Sequence, residues 1–358
     1  MPSRWLFGNR SSSNRPQGGD TVPRVHRVGF VLAALALFAP AAAGSRSSPT
    51  LSPTTAIFYY PWFGTPGRDG EYFHWEQNGH QPSGDLASAF YPMRGPYSSS
   101  DASVLDGQMR EIERAGIGEV VVSWWGRGSP VDQRLPAVIA AAQAHSLEIA
   151  AHLEPYAGRS IAGTAIDIDY LRTLGIRDFF VYHATDFPAA EWQPLTSSFE
   201  DVRLFVQTPR AGYAKQGGFD GVYTYDTLTY RPRMFARMCK AAHKLGLLCS
   251  PSVGPGYNAL RATGDSRVLD RRGGKTYDSI WTAALRAGTD VATITSYNEW
   301  NEGTQIEPAC PRQGYESYDG AWGERGKAAE RAYLNRTRLW TSRFNRQHFG
   351  RTAEDERG

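Results

Sequence analysis

The stretch QMREIERAGIGEVVVSWW, Gln108 to Trp125, holds one complete structural unit, and its reading decides the architecture. Its first half continues an amphipathic segment that begins at Val104 and stops at Ala115-Gly116, where a glycine frees the chain to leave a helix. Its second half, Glu119 to Trp124, is an apolar run without polar alternation, the pattern of a strand covered on both faces. The same succession recurs on either side. Strands are predicted at Ala56–Tyr60, Glu119–Trp124, Glu148–Leu153, Phe179–His183, Leu204–Gln207, Gly221–Tyr225, Leu247–Val253 and Val291–Tyr297. Further amphipathic segments, Leu135–His145, Pro232–Leu245 and Asp278–Ala287, lie between them. Strand and helix in alternation build a parallel sheet. About eight such units in roughly 290 residues fit an α/β fold of the single (β/α)8 TIM-barrel type better than an open doubly wound sheet, and no Gly-rich phosphate loop follows the first strand.

Barrels of this kind place their chemistry at the carboxyl ends of the strands. Here those ends gather acids and aromatics: Tyr60-Pro61-Trp62, Trp124-Trp125, Glu154-Pro155-Tyr156, Tyr223 with Tyr225, Gly254 to Tyr257, and Glu299 to Glu302. The last of these sits in ITSYNEWNEGTQIE, Ile294 to Glu307, where two glutamates lie three residues apart beside Trp300. A carboxyl against an aromatic wall loses solvation and its pKa rises, while a better solvated neighbour stays ionised; that division suits acid/base cleavage of a glycosidic bond. Two carboxylates alone would equally describe a solvated loop paired with arginines. Convergence of so many groups on one rim is the stronger argument.

Composition narrows the class without naming it. Of the residues 41% are hydrophobic, enough for a substantial core, and 10 Trp with 18 Tyr suit stacking on flat apolar faces such as those of sugar rings. A formal net charge of +3, with no basic stripe interleaved with aromatics, gives no case for a nucleic-acid partner. No metal-ligand spacing is present, and no metal or cofactor is expected. Cys239, Cys249 and Cys310 permit one disulfide without demanding it. Ahead of the barrel, arginines precede the apolar run Val28 to Ala39, followed by Pro40 and the small residues Ala41 to Gly44. This layout marks a secretory signal, either cleaved or retained as a membrane anchor through residues 28–44. The expected organisation is residues 1–50 as signal plus Ser/Pro/Thr-rich linker, 51–347 as the catalytic barrel, and 348–358 as a charged flexible tail, in a protein secreted or anchored in the Golgi or cell membrane.

Several strings then resemble successive blocks of glycoside hydrolase family 99, the endo-α-mannosidases and endo-α-mannanases. They are YYPWFG, His74-Trp75, GPYSS from Gly95, the Gln108–Trp125 stretch, HLEPY from His152, DGVYTY from Asp220, PSVGPGY from Pro251 and SYNEWNEGTQIE from Ser296. The resemblance runs from about Ala56 to Glu307. It implies a (β/α)8 barrel that cleaves α-1,2-mannosidic bonds inside mannose-containing glycans with retention of configuration. It further implies that Glu299 is the base assisting attack by the substrate 2-hydroxyl to give a 1,2-anhydro sugar, and that Glu302 is the acid/base on the leaving oxygen. Glu154 resembles the acid that binds a sugar hydroxyl beside the cleavage point. Tyr60, Trp62, His74, Trp75, Trp124, Tyr156, Tyr225, Tyr257, Asn298 and Trp300 complete the expected substrate-binding set, whereas His152 is expected in the core.

Two departures bear on substrate. Asn301 stands where the family usually has His in NEWHEG, and Trp125-Gly126-Arg127-Gly128 replaces the usual tyrosine and prolines after Ser123-Trp124. Glucosylated mannose and plain mannan therefore both remain open as substrates. Two other readings compete with the endomannosidase: a retaining glycosidase that forms a covalent glycosyl-enzyme with a second acid such as Glu154, and a glycan-binding protein on a non-catalytic barrel.

Overall fold

The computed structural model describes residues 54–355. The Val28–Gly44 run and the Ser/Pro/Thr-rich linker lie outside these. Nine short parallel strands form one sheet: β1 Thr54–Tyr59, β2 Glu119–Trp124, β3 Glu148–Leu153, β4 Asp178–Val181, β5 Arg203–Gln207, β6 Gly221–Tyr223, β7 Leu248–Ser250, β8 Ser252–Val253 and β11 Val291–Ile294. A small antiparallel pair, β9 Tyr257–Asn258 and β10 Val268–Leu269, stands apart on the rim. The sheet runs β7-β6-β5-β4-β3-β2-β1-β11-β8. Since β7 and β8 are one stretch of chain interrupted at Pro251, the sheet's two ends meet and the barrel is all but closed. Proline has no N–H for the ladder, so the predicted strand Leu247–Val253 divides there: β7 pairs with β6, and β8 pairs with β11. This is the (β/α)8 architecture expected from the alternation.

The predicted strand at Val291–Tyr297 ends earlier, at Ile294: Ser296 N turns to Thr304 O at 2.9 Å, although Tyr297 N still reaches Phe58 O of β1 at 2.8 Å. Helices follow the strands at Ala102–Arg114, Pro130–Ala144, Ile161–Thr173, Ala189–Ser198, Ala211–Gln216, Phe235–Lys244 and Lys275–Arg286. Three begin on side-chain caps, with Asp101, Ser129 and Ser160 accepting a backbone N–H of the first turn. The closing helix spans Ala332–Asp355, so it takes in most of the segment expected as a flexible tail. Cys239 on the Phe235–Lys244 helix is disulfide-bonded to Cys249 on β7, which resolves the pairing left open by the sequence. Among the described residues no helix is long and apolar enough to cross a membrane.

Strand alternation decides which residues reach the site. Phe58, His152, Phe180 and Tyr223 pack ring against ring inside the barrel, with centroids 4.7 Å apart for Phe58–His152 and 5.1 Å for Phe180–Tyr223. One layer further up, two residues along each strand, stand Tyr60, Glu154, Tyr182 and Tyr225. The residues between turn outward: Tyr59 donates to Gln108 of the neighbouring helix at 2.6 Å, and Trp124 donates to Asp132 at 2.9 Å.

Candidate active site

The upper layer surrounds a cluster of three glutamates, all at strand ends. Glu154 follows β3, and its Oε1 accepts from Ser123 Oγ at 2.8 Å and hydrogen-bonds His152 Nδ1 at 2.8 Å. His152 in turn meets the Tyr223 hydroxyl through Nε2 at 2.9 Å, so it is the core histidine expected. Glu299 and Glu302 follow β11 on a tight turn in which Thr304 N donates to Glu299 O. Gly303 has φ +64 there, and a Cβ on it would lie 2.9 Å from Asn258 O, so only glycine fits without strain.

Burial acts on both members of the pair. Burial pushes the Glu299 carboxyl well above the usual carboxylate range, and the neighbouring Glu302 pushes it the same way. Burial also pushes Glu302 up, to about 8, followed by the charges of Asp226 and Glu154. Among the described residues no arginine or lysine forms an ion pair with either. Two negative charges in so dry a place are costly. Glu299 accepts the backbone N–H of Asn301 at 3.1 Å and that of Glu302, bonds that favour its ionised form. Glu302 faces the Tyr225 hydroxyl, which itself accepts from Tyr60 OH.

The aromatic residues sort into two groups. Trp62 stacks on His74 with centroids 4.3 Å apart and planes 7° from parallel, and Tyr60 lies 4.7 Å from Trp62. Burial, with the charge of Arg134, pulls His74 down to about 3, so it is a neutral flat face at ordinary pH. Of the other expected tyrosines, Tyr225 accepts from Tyr60, Tyr257 is bonded to Asp265 at 3.0 Å and Tyr156 to Asp167. Four residues of the expected binding set lie elsewhere. Trp75, Trp124, Asn298 and Trp300 are all 0% exposed and offer no surface to a ligand. Trp75 donates to Tyr97 O at 2.9 Å, and Trp124 belongs to the helix layer. Asn298 is clamped to both backbone groups of Tyr60, at 2.8 and 3.0 Å. Trp300 donates to Glu307 at 2.8 Å, within a buried network that also takes in Gln108, Tyr97 and Arg94. Their hydrogen bonds tie them into the wall around the site.

Some groups at the site fall outside the expected binding set. Trp125, one residue past Trp124 and therefore on the inward face, is half-buried near Trp62 and donates to Ser123 Oγ at 3.0 Å; strict alternation would have found it. Tyr182 lies 5.0 Å from His152 and 5.6 Å from Tyr225 by ring centroids. Arg271 grips the Glu299–Glu302 turn from behind, donating from Nη2 to Gly303 O at 2.9 Å and Gln305 O at 2.7 Å. Its guanidinium lies within 4.5 to 4.9 Å of the Phe90, Tyr318 and Tyr333 rings, a cation held by π faces. Asn301, the departure from NEWHEG, bridges the carbonyls of His74 and Ala87 at 2.8 and 2.9 Å and so ties the Trp62–His74 stack to the Glu299–Glu302 turn.

A parallel barrel whose carboxyl-end mouth presents buried glutamates between aromatic walls is the architecture of a glycoside hydrolase. Sequence and structural comparisons give the particular one. The chain belongs to glycosyl hydrolase family 99, whose profile matches residues 50–346. It is 33% identical to a zebrafish (Danio rerio) glycoprotein endo-alpha-1,2-mannosidase-like protein, over 72% of this chain and 71% of that one. It is 29% identical to the Xenopus laevis glycoprotein endo-alpha-1,2-mannosidase, over 81% and 77%. The endo-alpha-mannosidase of Bacteroides thetaiotaomicron superposes with a TM-score of 0.75 at 31% identity, covering 83% of this chain and 99% of that one.

Proposed function

We propose that the protein is a retaining endo-α-1,2-mannosidase in which Glu299 is the base and Glu302 the acid/base. The observation that supports this most is the pair itself: two buried glutamates on one turn at the carboxyl ends of the strands, both raised by burial, Glu302 to about 8, with backbone N–H bonds to Glu299 that favour its carboxylate. The Glu299 carboxylate takes the proton of the substrate 2-hydroxyl, and that oxygen attacks the anomeric carbon. The glycosidic C–O bond breaks as Glu302 delivers its proton to the leaving oxygen. In the second step Glu302, now a carboxylate, takes a proton from water, the water oxygen opens the 1,2-anhydro ring at the anomeric carbon, and Glu299 returns its proton to O2. Two inversions at one carbon leave its configuration retained.

Glu154, fixed by Ser123 and His152, accepts a bond from a sugar hydroxyl next to the cleavage point, while Trp62, His74 and Trp125 supply flat faces for the rings. The substrate is a neutral mannose-containing glycan or glycoprotein. The disulfide accords with folding in an oxidising compartment, and the relatives that act on glycoproteins accord with the secretory route, with the protein either released or held by its N-terminal run. Incubation with a glucose-capped high-mannose oligosaccharide and with an α-1,2-branched mannan, with products identified by mass, tests the activity. Release of a Glc-Man disaccharide assigns glycoprotein processing, and mannobiose from mannan alone assigns mannan degradation. Binding to both without any product would overturn the catalytic reading, and capture of a covalent glycosyl-enzyme would overturn the anhydro-sugar route.

A further inference from the structure

On the outer wall of the barrel, between the Ala102–Arg114 helix and the closing Ala332–Asp355 helix, lies a cavity of about 430 Å³ lined by Arg94, Arg110, Arg114, Arg331 and Arg338 together with Glu111 and Asn335. Five guanidinium groups meet in one hollow of a chain whose formal net charge is only +3. Their built-in partners do not neutralise them. Glu111 is shared by Arg94 at 2.9 Å and Arg331 at 2.8 Å, Arg94 also pairs with the buried Glu307 at 2.9 Å, and Arg110 pairs with Asp106. Three carboxylates therefore stand against five cations, and among the described residues Arg114 and Arg338 form no ion pair. Gly107 keeps the floor open: a Cβ there would lie 3.1 Å from Arg94 Nη2. Leu334 and the arginine stems add an apolar wall, and the Asn335 amide a further donor.

We propose that this hollow is a binding site for a phosphate-type oxyanion carrying two or more negative charges, separate from the glycan cleft. Planar guanidinium forks match the paired oxygens of phosphate, and each such bond is charge-assisted. Two positive charges in excess of the internal partners call for a dianion, not a simple halide. Arg94 forms the hollow's inner end and reaches Glu307, so an anion seated there is already braced by the buried network behind the site. Nothing in this depends on how Glu299 and Glu302 act.

The test is a calorimetric titration of the full chain with three probes, inorganic pyrophosphate, mannose 6-phosphate and chloride, at low salt and at physiological ionic strength. The same titration is run on Arg114→Gln/Arg338→Gln, a double variant that touches neither the core nor the glycan cleft. Saturable binding of a phosphate probe, weaker by about tenfold or more in the double variant and weakened by salt, is the expected result. Preference for pyrophosphate assigns a free anion, and preference for mannose 6-phosphate assigns a phosphate borne on sugar. Glycan hydrolysis by the double variant should equal that of the parent, which separates this site from the catalytic one. Equal binding by parent and variant, binding of chloride as tight as that of the phosphates, or no saturable binding at low salt would each overturn the proposal.

Discussion

The two mouths of the barrel both bury carboxyl groups, but only one gives them a cation. At the amino-terminal mouth Glu119 and Asp178, the first residues of β2 and β4, lie against Arg203, the first residue of β5; Arg203 Nε donates to Asp178 at 2.6 Å and Nη2 completes a forked pair. Burial and the Asp178 charge raise Glu119 well above its usual range, and Arg203 draws it back. At the carboxyl mouth Glu299 and Glu302 are raised in the same way, but tyrosine hydroxyls and backbone N–H groups stand where the arginine would be. A paired carboxylate is fixed in one state and serves the fold, whereas an unpaired buried one sits close to exchanging its proton, as acid/base chemistry needs.

The comparison can be broken by substitution at either mouth. Glu299→Gln or Glu302→Gln should lower turnover by roughly 10²- to 10⁴-fold, the usual weight of a positioned acid or base, with an unchanged circular dichroism spectrum. At the other mouth Asp178→Ala removes Arg203's forked partner and should cost up to about 3–5 kcal/mol in denaturant unfolding, less where Glu119 takes over the pairing, while each folded molecule keeps its activity. Equal loss of turnover per folded molecule at both mouths would erase the distinction. Trp125→Ala tests the cleft wall: KM for a mannose oligosaccharide should rise by about tenfold, equivalent to about 1.4 kcal/mol, with a smaller change in kcat.

A smaller effect concerns stability itself. Because the folded pKa of Glu302, about 8, lies above its unfolded value near the ordinary 4.5, the folded state holds the proton more tightly. Stability from this group is complete below about pH 4.5 and is lost as pH rises toward 8. Glu302→Gln, which never ionises, should therefore melt a few degrees higher than the parent at pH 8.5 and show little difference at pH 4.5. A variant that melts lower at pH 8.5 would mean that the carboxylate is stabilised in a way the structure does not show.

Most of the barrel was legible because its strands are apolar runs without alternation and its helices have clear stops, as Gln108–Trp125 shows. The glutamates were legible because Glu154, Glu299 and Glu302 fall where strands end. What escaped depends on contacts between distant parts of the chain. The division of the seventh predicted strand at Pro251 needs both neighbours of that strand to be known. Trp124 and Trp125 exchange roles because one residue along a strand reverses the face. Asn298 and Trp300 lie in the catalytic motif yet serve Tyr60 and Glu307 from inside the core. Arg271 is remote in sequence from the Glu299–Glu302 turn it holds, and no spacing would point to it.

The most direct measurement is the pH dependence of kcat/KM for hydrolysis of an α-1,2-mannosidic substrate. If Glu302 is the proton donor in a site without a cation, activity should fall on the alkaline side with an apparent pKa near 8, and Glu302→Gln should lack that limb in its residual rate. An alkaline limb that persists unchanged in Glu302→Gln, or activity already lost through the ordinary carboxylate range, would contradict the assignment.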